Sequence, residues 1–249
     1  MFNKRHIVRT IAATVSILAL SFTAACGSGQ STASNSTDSD DITQQTYKPG
    51  KLTIATGQPA YEPWVMNDKP ESGEGYEAAV AYAVADKLGF KKSDVVWTRT
   101  AFDTAIAPGA KDWDFNIQQF GITDERKKAV DFSSSYYNDS QSVVVKKDSK
   151  FANATKVSDL KDATVGVMVG TLAYDYAKAN IKDDIQTFND DAALAQALDA
   201  GQIDALVTST VECVYMVQSE QVKDAKVLGR LPDSEDKSGM GIVLPKDSS

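Results

Sequence analysis

Histidine is almost absent from this sequence. The single histidine among 249 residues is His6, close to the start of the chain. A protein that loses its first 25 residues by processing would keep none. Such a protein cannot use a Ser-His-Asp or Cys-His mechanism, and it cannot bind zinc through imidazole groups. This scarcity excludes many hydrolases and leads us to expect no metal and no cofactor, whereas carboxylate chemistry stays open because 34 acidic residues are present.

Cysteine is also scarce, with only Cys26 and Cys213 in the chain. Cys213 lies in the apolar run VECVYMV, which is typical of a small buried side chain rather than of a reactive thiol. If Cys26 is modified with lipid, Cys213 has no partner. We therefore expect no disulfide.

Basic residues are outnumbered, with 26 Lys and Arg against 34 Asp and Glu. Three of the basic residues and none of the acidic ones lie in residues 1–25, so the chain from Cys26 onward has 23 basic and 34 acidic residues, a net charge of −11. This charge repels phosphate backbones, so we expect no nucleic-acid partner. It also gives no electrostatic help in binding anionic lipid.

The N-terminus has the layout of a secretory signal. A basic segment, Met1–Arg9, precedes a short apolar run, Ile11–Phe22, which is too short to span a bilayer. Small residues then lead to Cys26, and this arrangement resembles a bacterial lipobox, in which the cysteine is diacylated. Thr23 departs from the usual leucine of that motif. We predict a lipoprotein signal peptide over residues 1–25, and the alternative is a plain signal peptide with an incidental cysteine.

A polar segment follows the predicted cleavage site. Residues 27–47 are rich in Ser, Thr, Asp and Gln and nearly free of apolar side chains, so they cannot bury enough surface to fold. We predict a flexible tether over residues 26–50. With two acyl chains on Cys26, the protein would be held firmly at the extracytoplasmic face of the bacterial cell membrane.

The rest of the chain alternates strand and helix patterns. We predict strands at residues 51–55, 94–98, 114–117, 164–169, 185–188, 204–208 and 239–244, with extended chain at residues 129–133 and 142–147. We predict helices at residues 76–88, 102–106, 171–179, 190–200 and 211–219, and another that begins at Thr123. Two successive β/α sets in about 200 residues indicate two small α/β domains with a ligand in the cleft between them.

Six segments carry a resemblance to a known family. They are YEPW (61–64), GYEAAVAYAVADKLGF (75–90), FDTAI (102–106), GITDERKKAVDFS (121–133), LKDATVGVMVGT (160–171) and GQIDALVTS (201–209). In this order and spacing, the chain resembles the amino-acid-type periplasmic binding proteins of ABC importers, the family 3 solute-binding proteins.

The resemblance implies an α/β, two-lobe, periplasmic-binding-protein-like (type II) fold with two hinge strands and a central cleft. Lobe 1 would comprise residues 51–137 and 236–249, and lobe 2 residues 142–228. Members of the family continue beyond LPKDSS with one or two helices that pack on lobe 1. The sequence ends at Ser249, so we expect lobe 1 to expose apolar surface there.

The resemblance also implies binding residues. Tyr61 and Phe102 match an aromatic pair that encloses the ligand side chain, although either could be an ordinary core aromatic. Arg126 matches the arginine that binds the ligand α-carboxylate through two charge-assisted hydrogen bonds; alone, it would be interpreted as a solvated residue. Gly170, Thr171 and Leu172 match the start of a lobe 2 helix whose N–H groups bind the same carboxylate.

The sequence departs from the family pattern where the ligand is recognised. Gln118 and Gln119 stand where serines often line the cleft, and Gly121 stands where a Ser or Thr often contacts the ligand. Ser209 stands where the amine-binding aspartate is expected. Either Glu212, one helical turn further on, supplies the missing charge, or the ligand nitrogen is neutral or modified, because a buried ammonium without a countercharge is costly.

These features indicate a non-catalytic protein, expected to be a monomer, that binds an amino acid or a related small carboxylate and delivers it to an ABC permease. An enzyme of the same fold, such as a cyclohexadienyl dehydratase, is the alternative from another class. It would need a general acid in the cleft, for which Glu212 and Glu62 are the candidates. A domain that senses the ligand and signals to a receptor would use the same cleft.

Overall fold

A computed structural model describes residues 42–248 of the chain. The predictions for residues 1–41, which include the signal peptide, Cys26 and most of the tether, lie outside this range. The ten strands are β1 Leu52–Gly57, β2 Val95–Thr100, β3 Phe115–Asn116, β4 Asp131–Tyr137, β5 Gln141–Lys146, β6 Val165–Met168, β7 Gln186–Phe188, β8 Ala205–Ser209, β9 Ala225–Arg230 and β10 Met240–Leu244. The five α-helices are α1 Tyr76–Lys87, α2 Phe102–Ile106, α3 Leu172–Asn180, α4 Asp191–Asp199 and α5 Thr210–Gln218.

The strands form two mixed five-stranded sheets, so the fold is the two-lobe α/β arrangement that the sequence predicts. The first sheet has the order β2-β1-β3-β10-β4, and the second has the order β7-β6-β8-β5-β9. In the first sheet β1 is parallel to β2 and β3, whereas β10 is antiparallel to β3 and β4. The second sheet repeats this plan, with β6 parallel to β7 and β8, and β5 antiparallel to β8 and β9.

The central strands of both sheets are fully buried because helices cover them. In the first sheet every residue of β1 is buried, and Ile54 packs with Ala81 and Ala85 of α1. In the second sheet every residue of β8 is buried, and Leu206 packs with Leu194 of α4. Strands that are buried along their whole length are expected where parallel strands have helices on both faces.

The chain passes between the two sheets at two places. Residues 138–140 connect β4 to β5, and residues 231–239 connect β9 to β10. A backbone hydrogen bond joins the two connections, from the Asp236 N–H to the Asp139 carbonyl at 2.9 Å. Gln141 N–H in turn donates to Ser234 Oγ at 3.0 Å. The two connections therefore lie side by side where the lobes meet.

One predicted helix was wrong, and one strand was not predicted. The helix predicted from Thr123 is only a short 3₁₀ turn, Arg126–Lys128. Thr123 Oγ1 accepts from Arg126 N at 3.1 Å, but Glu125 is the N-cap residue of the turn, and the chain must then place Val130 in the core and begin β4. The sequence patterns also missed β9, an edge strand that is only partly buried. Among residues 42–248, no helix is both long and apolar enough to cross a bilayer.

Candidate functional site

A cavity of about 70 Å³ lies between the two lobes. A water molecule needs about 10–15 Å³ of such space, so the cavity has room for several waters or for a small solute. Ten of the eleven predicted binding residues line it: Tyr61, Phe102, Gln118, Gln119, Gly121, Arg126, Thr171, Leu172, Ser209 and Glu212. The eleventh, Gly170, is not among the lining residues, but its carbonyl accepts a hydrogen bond from Arg126, which does line the cavity.

Arg126 joins the two lobes at this cavity. Its Nη1 donates to the carbonyl of Gly121 at 2.7 Å, and its Nη2 donates to the carbonyl of Gly170 at 2.8 Å. The guanidinium carbon lies 5.4 Å from the ring centroid of Phe102, a distance at which the ring face attracts a cation. Burial lowers the pKa of Arg126, but an arginine keeps its charge in a protein. The guanidinium has five N–H groups. The bonds to Gly121 and Gly170 use two of them, so three remain as donors for a ligand.

The N-terminus of α3 also lies at the cavity. Thr171 caps the helix, because its Oγ1 accepts from Tyr174 N at 3.2 Å and donates to the Met168 carbonyl at 2.7 Å. The first N–H groups of a helix have no partner within it and carry the positive end of its dipole. Because Thr171, Leu172 and Ala173 line the cavity, an anion next to Arg126 would meet this helix end as well.

The two predicted aromatic residues line the cavity from lobe 1. Phe102 packs on Phe120, with ring centroids 4.6 Å apart. Tyr61 is half-buried, and its hydroxyl oxygen is buried without a hydrogen-bond partner among the described residues. Burial raises the pKa of Tyr61, with Asp190 adding to the effect. Both rings therefore offer apolar faces to the cavity, and the Tyr61 hydroxyl is a neutral donor.

Gln119 is held in place by a buried carboxyl group. Its backbone N–H donates to Glu77 Oε1 at 2.8 Å, and its side-chain Nε2 donates to Glu77 Oε2. Gln119 has φ +51°, which is unusual for a residue other than glycine. Glu77 is completely buried, and it also accepts from the Tyr136 hydroxyl. Burial raises the pKa of Glu77 to about 7 against the lowering effect of these donors.

Gln118 differs from Gln119 in having an unsatisfied side chain. It is 9% exposed and lines the cavity. Its Oε1 is buried and accepts no hydrogen bond within residues 42–248. A buried acceptor of this kind favours a ligand that donates a hydrogen bond.

Ser209 caps α5 at the position where the family aspartate is expected. Its Oγ accepts from Glu212 N at 3.2 Å, which is the ordinary role of a serine at a helix N-terminus. Glu212 is 7% exposed and lines the cavity, and its Oε2 accepts from Thr208 Oγ1 at 2.7 Å. Glu212 therefore lies where it could face a ligand, as one of the two hypotheses requires.

Sequence reasoning missed most of the acidic groups of the cavity. Besides Glu212, three aspartates line it: Asp139, Asp191 and Asp236. Asp139 and Asp236 come from the two connections between the lobes, and Asp191 from the first turn of α4. No ion pair within residues 42–248 includes any of these four acids. The other missed lining residues are Gln141, Met168, Ala173, Thr208 and Met240.

Glu62, the second candidate acid of the enzyme alternative, is not among the residues that line this cavity. Its Oε1 accepts from Asn67 N at 2.7 Å, so the carboxylate stabilises the loop after β1. Of the two candidates for a general acid, only Glu212 lies at the cavity.

The sequence matches the bacterial extracellular solute-binding proteins, family 3, over residues 52–207. The chain belongs to this family. It is 32% identical over 225 residues to the glutamine-binding protein of Geobacillus stearothermophilus, covering 82% of each chain. It is 28% identical over 217 residues to the L-arginine-binding protein of Pseudomonas aeruginosa, covering 81% of this chain and 78% of that protein.

A solved structure of an ancestral arginine-binding protein bound to arginine has the same fold. Its TM-score is 0.65 at 31% identity, and the match covers 80% of this chain and 85% of that one. These three proteins are named for the amino acids that they bind, not for reactions that they catalyse. The family therefore supports a binding protein, and not the dehydratase alternative.

Proposed function

We propose that this family 3 protein binds an amino acid in the cavity between its lobes and delivers it to an ABC permease. The observation that carries the proposal is the position of Arg126, which contacts both lobes at the cavity and keeps spare donors. The family's extracellular description and the amino-acid specificities of the relatives agree with it. The finer proposals are that Cys26 is lipidated and that the protein is anchored at the outer face of the membrane.

The α-carboxylate of the ligand binds between Arg126 and the N-terminus of α3. The planar guanidinium can give a carboxylate two parallel charge-assisted hydrogen bonds. Leu172 and Ala173 line the same part of the cavity, and N–H groups of the first helical turn add a partial positive charge. Since Arg126 belongs to lobe 1 and α3 to lobe 2, a carboxylate bound by both stabilises the closed arrangement of the lobes.

The α-ammonium binds near Ser209, and Asp139 supplies its charge. Asp139 Oδ1 accepts from Ser140 N at 2.7 Å, whereas its Oδ2 is buried without a hydrogen-bond partner in the described part of the chain. Burial raises the pKa of Asp139, and the Ser140 N–H and the Ser209 hydroxyl act in the opposite direction. A bound ammonium would pair with Oδ2. Asp139 is therefore a third explanation for the absence of an aspartate at Ser209. The other two are a charge supplied by Glu212 and a ligand whose nitrogen is neutral.

The proposal is tested by calorimetric titration of the full chain with the common L-amino acids and their basic and amide derivatives. A binding protein of this kind should give a saturable signal with at least one of them, and the same ligand should raise the melting temperature by mass action. If no amino acid binds or shifts the melting temperature, the proposal is wrong.

Arg126→Lys is the informative variant. It keeps the charge and loses the paired donors, so we expect binding of the same ligand to weaken by about 1.5–3 kcal/mol, which is roughly 10-fold to 150-fold. Arg230→Lys is the matched control, because Arg230 pairs with the exposed Glu235 at 2.6 Å and does not line the cavity. Equal losses in the two variants would contradict the assignment of Arg126.

Asp139→Asn tests the amine site separately. Asparagine keeps the shape of the side chain and its acceptor for Ser140 N, but it loses the negative charge. We expect ligands with an α-ammonium to bind more weakly, while a ligand acetylated on that nitrogen, which has no charge to pair, loses little. If affinity for the free amino acid is unchanged, Asp139 is not the countercharge and Glu212 becomes the better candidate.

Lipidation is tested on the full chain expressed in bacteria. Mass spectrometry of the membrane fraction should find the mature chain beginning at a diacylated Cys26, and Cys26→Ala should release the protein from the membrane. A mature N-terminus at another residue would contradict this part of the proposal.

A further inference from the structure

We infer that the ligand is a cationic amino acid whose side-chain cation is bound between Asp191 and Glu212. This inference rests on the proposed function and adds the class of ligand to it. The two side chains are called the Asp191–Glu212 pair. They come from the first turns of α4 and α5 in lobe 2.

The two carboxyl groups of the pair are buried and share one hydroxyl donor. Asp191 is 6% exposed and Glu212 is 7% exposed, and both line the cavity. Thr208 Oγ1 lies 2.7 Å from Glu212 Oε2 and 3.5 Å from Asp191 Oδ1. A hydroxyl has one proton to donate, and the shorter contact receives it. Asp191 therefore lacks a good donor, and a buried carboxylate in that state needs a cation or a proton.

In the part of the chain that the structure describes, no basic side chain forms an ion pair with either member of the pair. Five titratable groups interact electrostatically with the pair, and all of them are acidic or neutral: Tyr61, Glu77, Asp139, Asp190 and Cys213. The only cation among the residues that line the cavity is Arg126. The acids that act on it are a different set: Asp103, Asp175 and Asp236.

The cavity thus has two ends of opposite character. Arg126 and the α3 N-terminus form a basic end that suits a carboxylate. The Asp191–Glu212 pair forms an acidic end, next to the aromatic face of Tyr61. An amino acid with a basic side chain matches both ends, because it carries a carboxylate, an α-ammonium and a second cation separated by methylene groups.

The unsatisfied acceptors of the cavity point to the same class of ligand. Gln118 Oε1, Asp139 Oδ2 and Asp236 Oδ2 are all buried, and none accepts a hydrogen bond within residues 42–248. Gln118 itself is more than nine-tenths buried. A guanidinium offers five N–H donors and an ammonium three, and neither accepts. A ligand rich in donors satisfies these atoms, whereas an acidic side chain would add to the excess of acceptors.

Protons take the place of the cation when the cavity is empty. Burial raises the pKa of both Asp191 and Glu212, and the repulsion between the two carboxylates adds to the rise at Asp191. A carboxyl group with a raised pKa keeps its proton to higher pH, and a bound cation reverses this by favouring the ionised form. Binding of a cationic ligand therefore releases protons, and its affinity falls as the pH is lowered through the pKa values of the pair.

Titration calorimetry of the full chain at about pH 7 tests the inference with matched ligands. L-Arginine, L-lysine and L-ornithine are compared with L-citrulline and L-norleucine, which have similar shape and no side-chain charge. We expect at least one cationic ligand to bind at least about 30-fold more tightly than its neutral analogue, since a buried charge would otherwise remain unpaired. If a neutral amino acid binds most tightly, this inference is wrong while the proposed function stands. If no amino acid binds, the proposed function fails.

The double variant Asp191→Asn, Glu212→Gln removes the acidic end and keeps its shape. We expect it to lose the preference for the cationic ligand but to bind the neutral analogue at least as well as the unmodified protein. The control Asp184→Asn, Glu220→Gln makes the same change of charge at two exposed residues and should keep the preference. A double variant that still prefers the cation would overturn the inference.

A third measurement does not depend on the variants. Calorimetry at about pH 6 in two buffers with different ionisation enthalpies gives the number of protons released on binding. We expect release with the cationic ligand and less with its neutral analogue. Equal proton release for both ligands would contradict the assignment of the cation to the Asp191–Glu212 pair, even if the double variant fails to fold.

Discussion

Replacing Glu77 with glutamine should remove a pH dependence from the stability of lobe 1. Glu77 is 0% exposed and accepts hydrogen bonds from the backbone and side chain of Gln119 and from the Tyr136 hydroxyl. Glutamine has nearly the same shape as glutamate. The side-chain amide of Gln119 can rotate by about 180° so that its oxygen accepts a hydrogen bond from the amide introduced at position 77. The variant should therefore fold, with the pH response as its main change.

The size of the effect follows from the pKa. Burial raises the pKa of Glu77 from 4.5 to about 7 in the folded protein, and each unit of pKa is worth about 1.4 kcal/mol. Between these two values the folded protein keeps a proton that the unfolded chain has lost. The free energy of unfolding therefore falls as the pH rises through this window, by about 3 kcal/mol in total. Glu77→Gln cannot lose a proton and should not show this component.

Urea unfolding at about pH 4.5, pH 6 and pH 8 measures the effect. The stability of Glu77→Gln relative to the unmodified protein should improve by about 3 kcal/mol across this range, because contributions from all other groups cancel in the difference. Glu74→Gln, at an exposed residue of the preceding loop, should give a constant difference. A constant difference for Glu77→Gln as well would refute the reasoning.

Three further predictions concern two glycines and a buried cysteine. An alanine Cβ at Gly121 would lie 2.6 Å from Leu172 Cδ1 across the cavity, so Gly121→Ala should oppose closure by about 1–3 kcal/mol and weaken ligand binding at least about fivefold in calorimetry; unchanged affinity would contradict this. A Cβ at Gly166 would lie 2.5 Å from Ile203 Cδ1, so Gly166→Ala should lower the free energy of unfolding by about 1–3 kcal/mol in urea titration, and no loss would show that the core adapts. Cys213 is fully buried and burial raises its thiol pKa, so a thiol reagent should modify it slowly in the native protein and at once in denaturant; rapid native labelling would show that α5 opens.

The sequence could predict most of the fold because the buried strands and their helices have strong patterns. β1, β6 and β8 are buried along their whole length, and α3 and α4 begin directly after Thr171 and Asp190, the first residues of the predicted helices. The failures are elements whose pattern is weak. β9 is a partly exposed edge strand that contains Gly229, and the 3₁₀ turn at Arg126 had good start signals but no room for further turns before β4.

The candidate site could be predicted only where a motif carried it. Arg126, Phe102, Thr171 and Leu172 belong to segments that resemble the family or directly follow one, and all of them line the cavity. Asp139 and Asp236 could not be found in this way, because they lie in the two connections between the sheets and meet only in the folded chain. Asp191 has an ordinary explanation in the sequence, as an acid in the first turn of a helix, and this explanation hid its position in the cavity.

The central claim is that Arg126 binds an amino acid through its carboxylate. One measurement tests this claim most directly. The full chain is titrated with L-arginine and with agmatine, which keeps the guanidinium and the chain but lacks the α-carboxylate. If Arg126 and the α3 N-terminus bind the carboxylate, agmatine should bind at least about 30-fold more weakly than L-arginine, and Arg126→Lys should reduce that difference. Equal affinity for the two ligands would contradict the account.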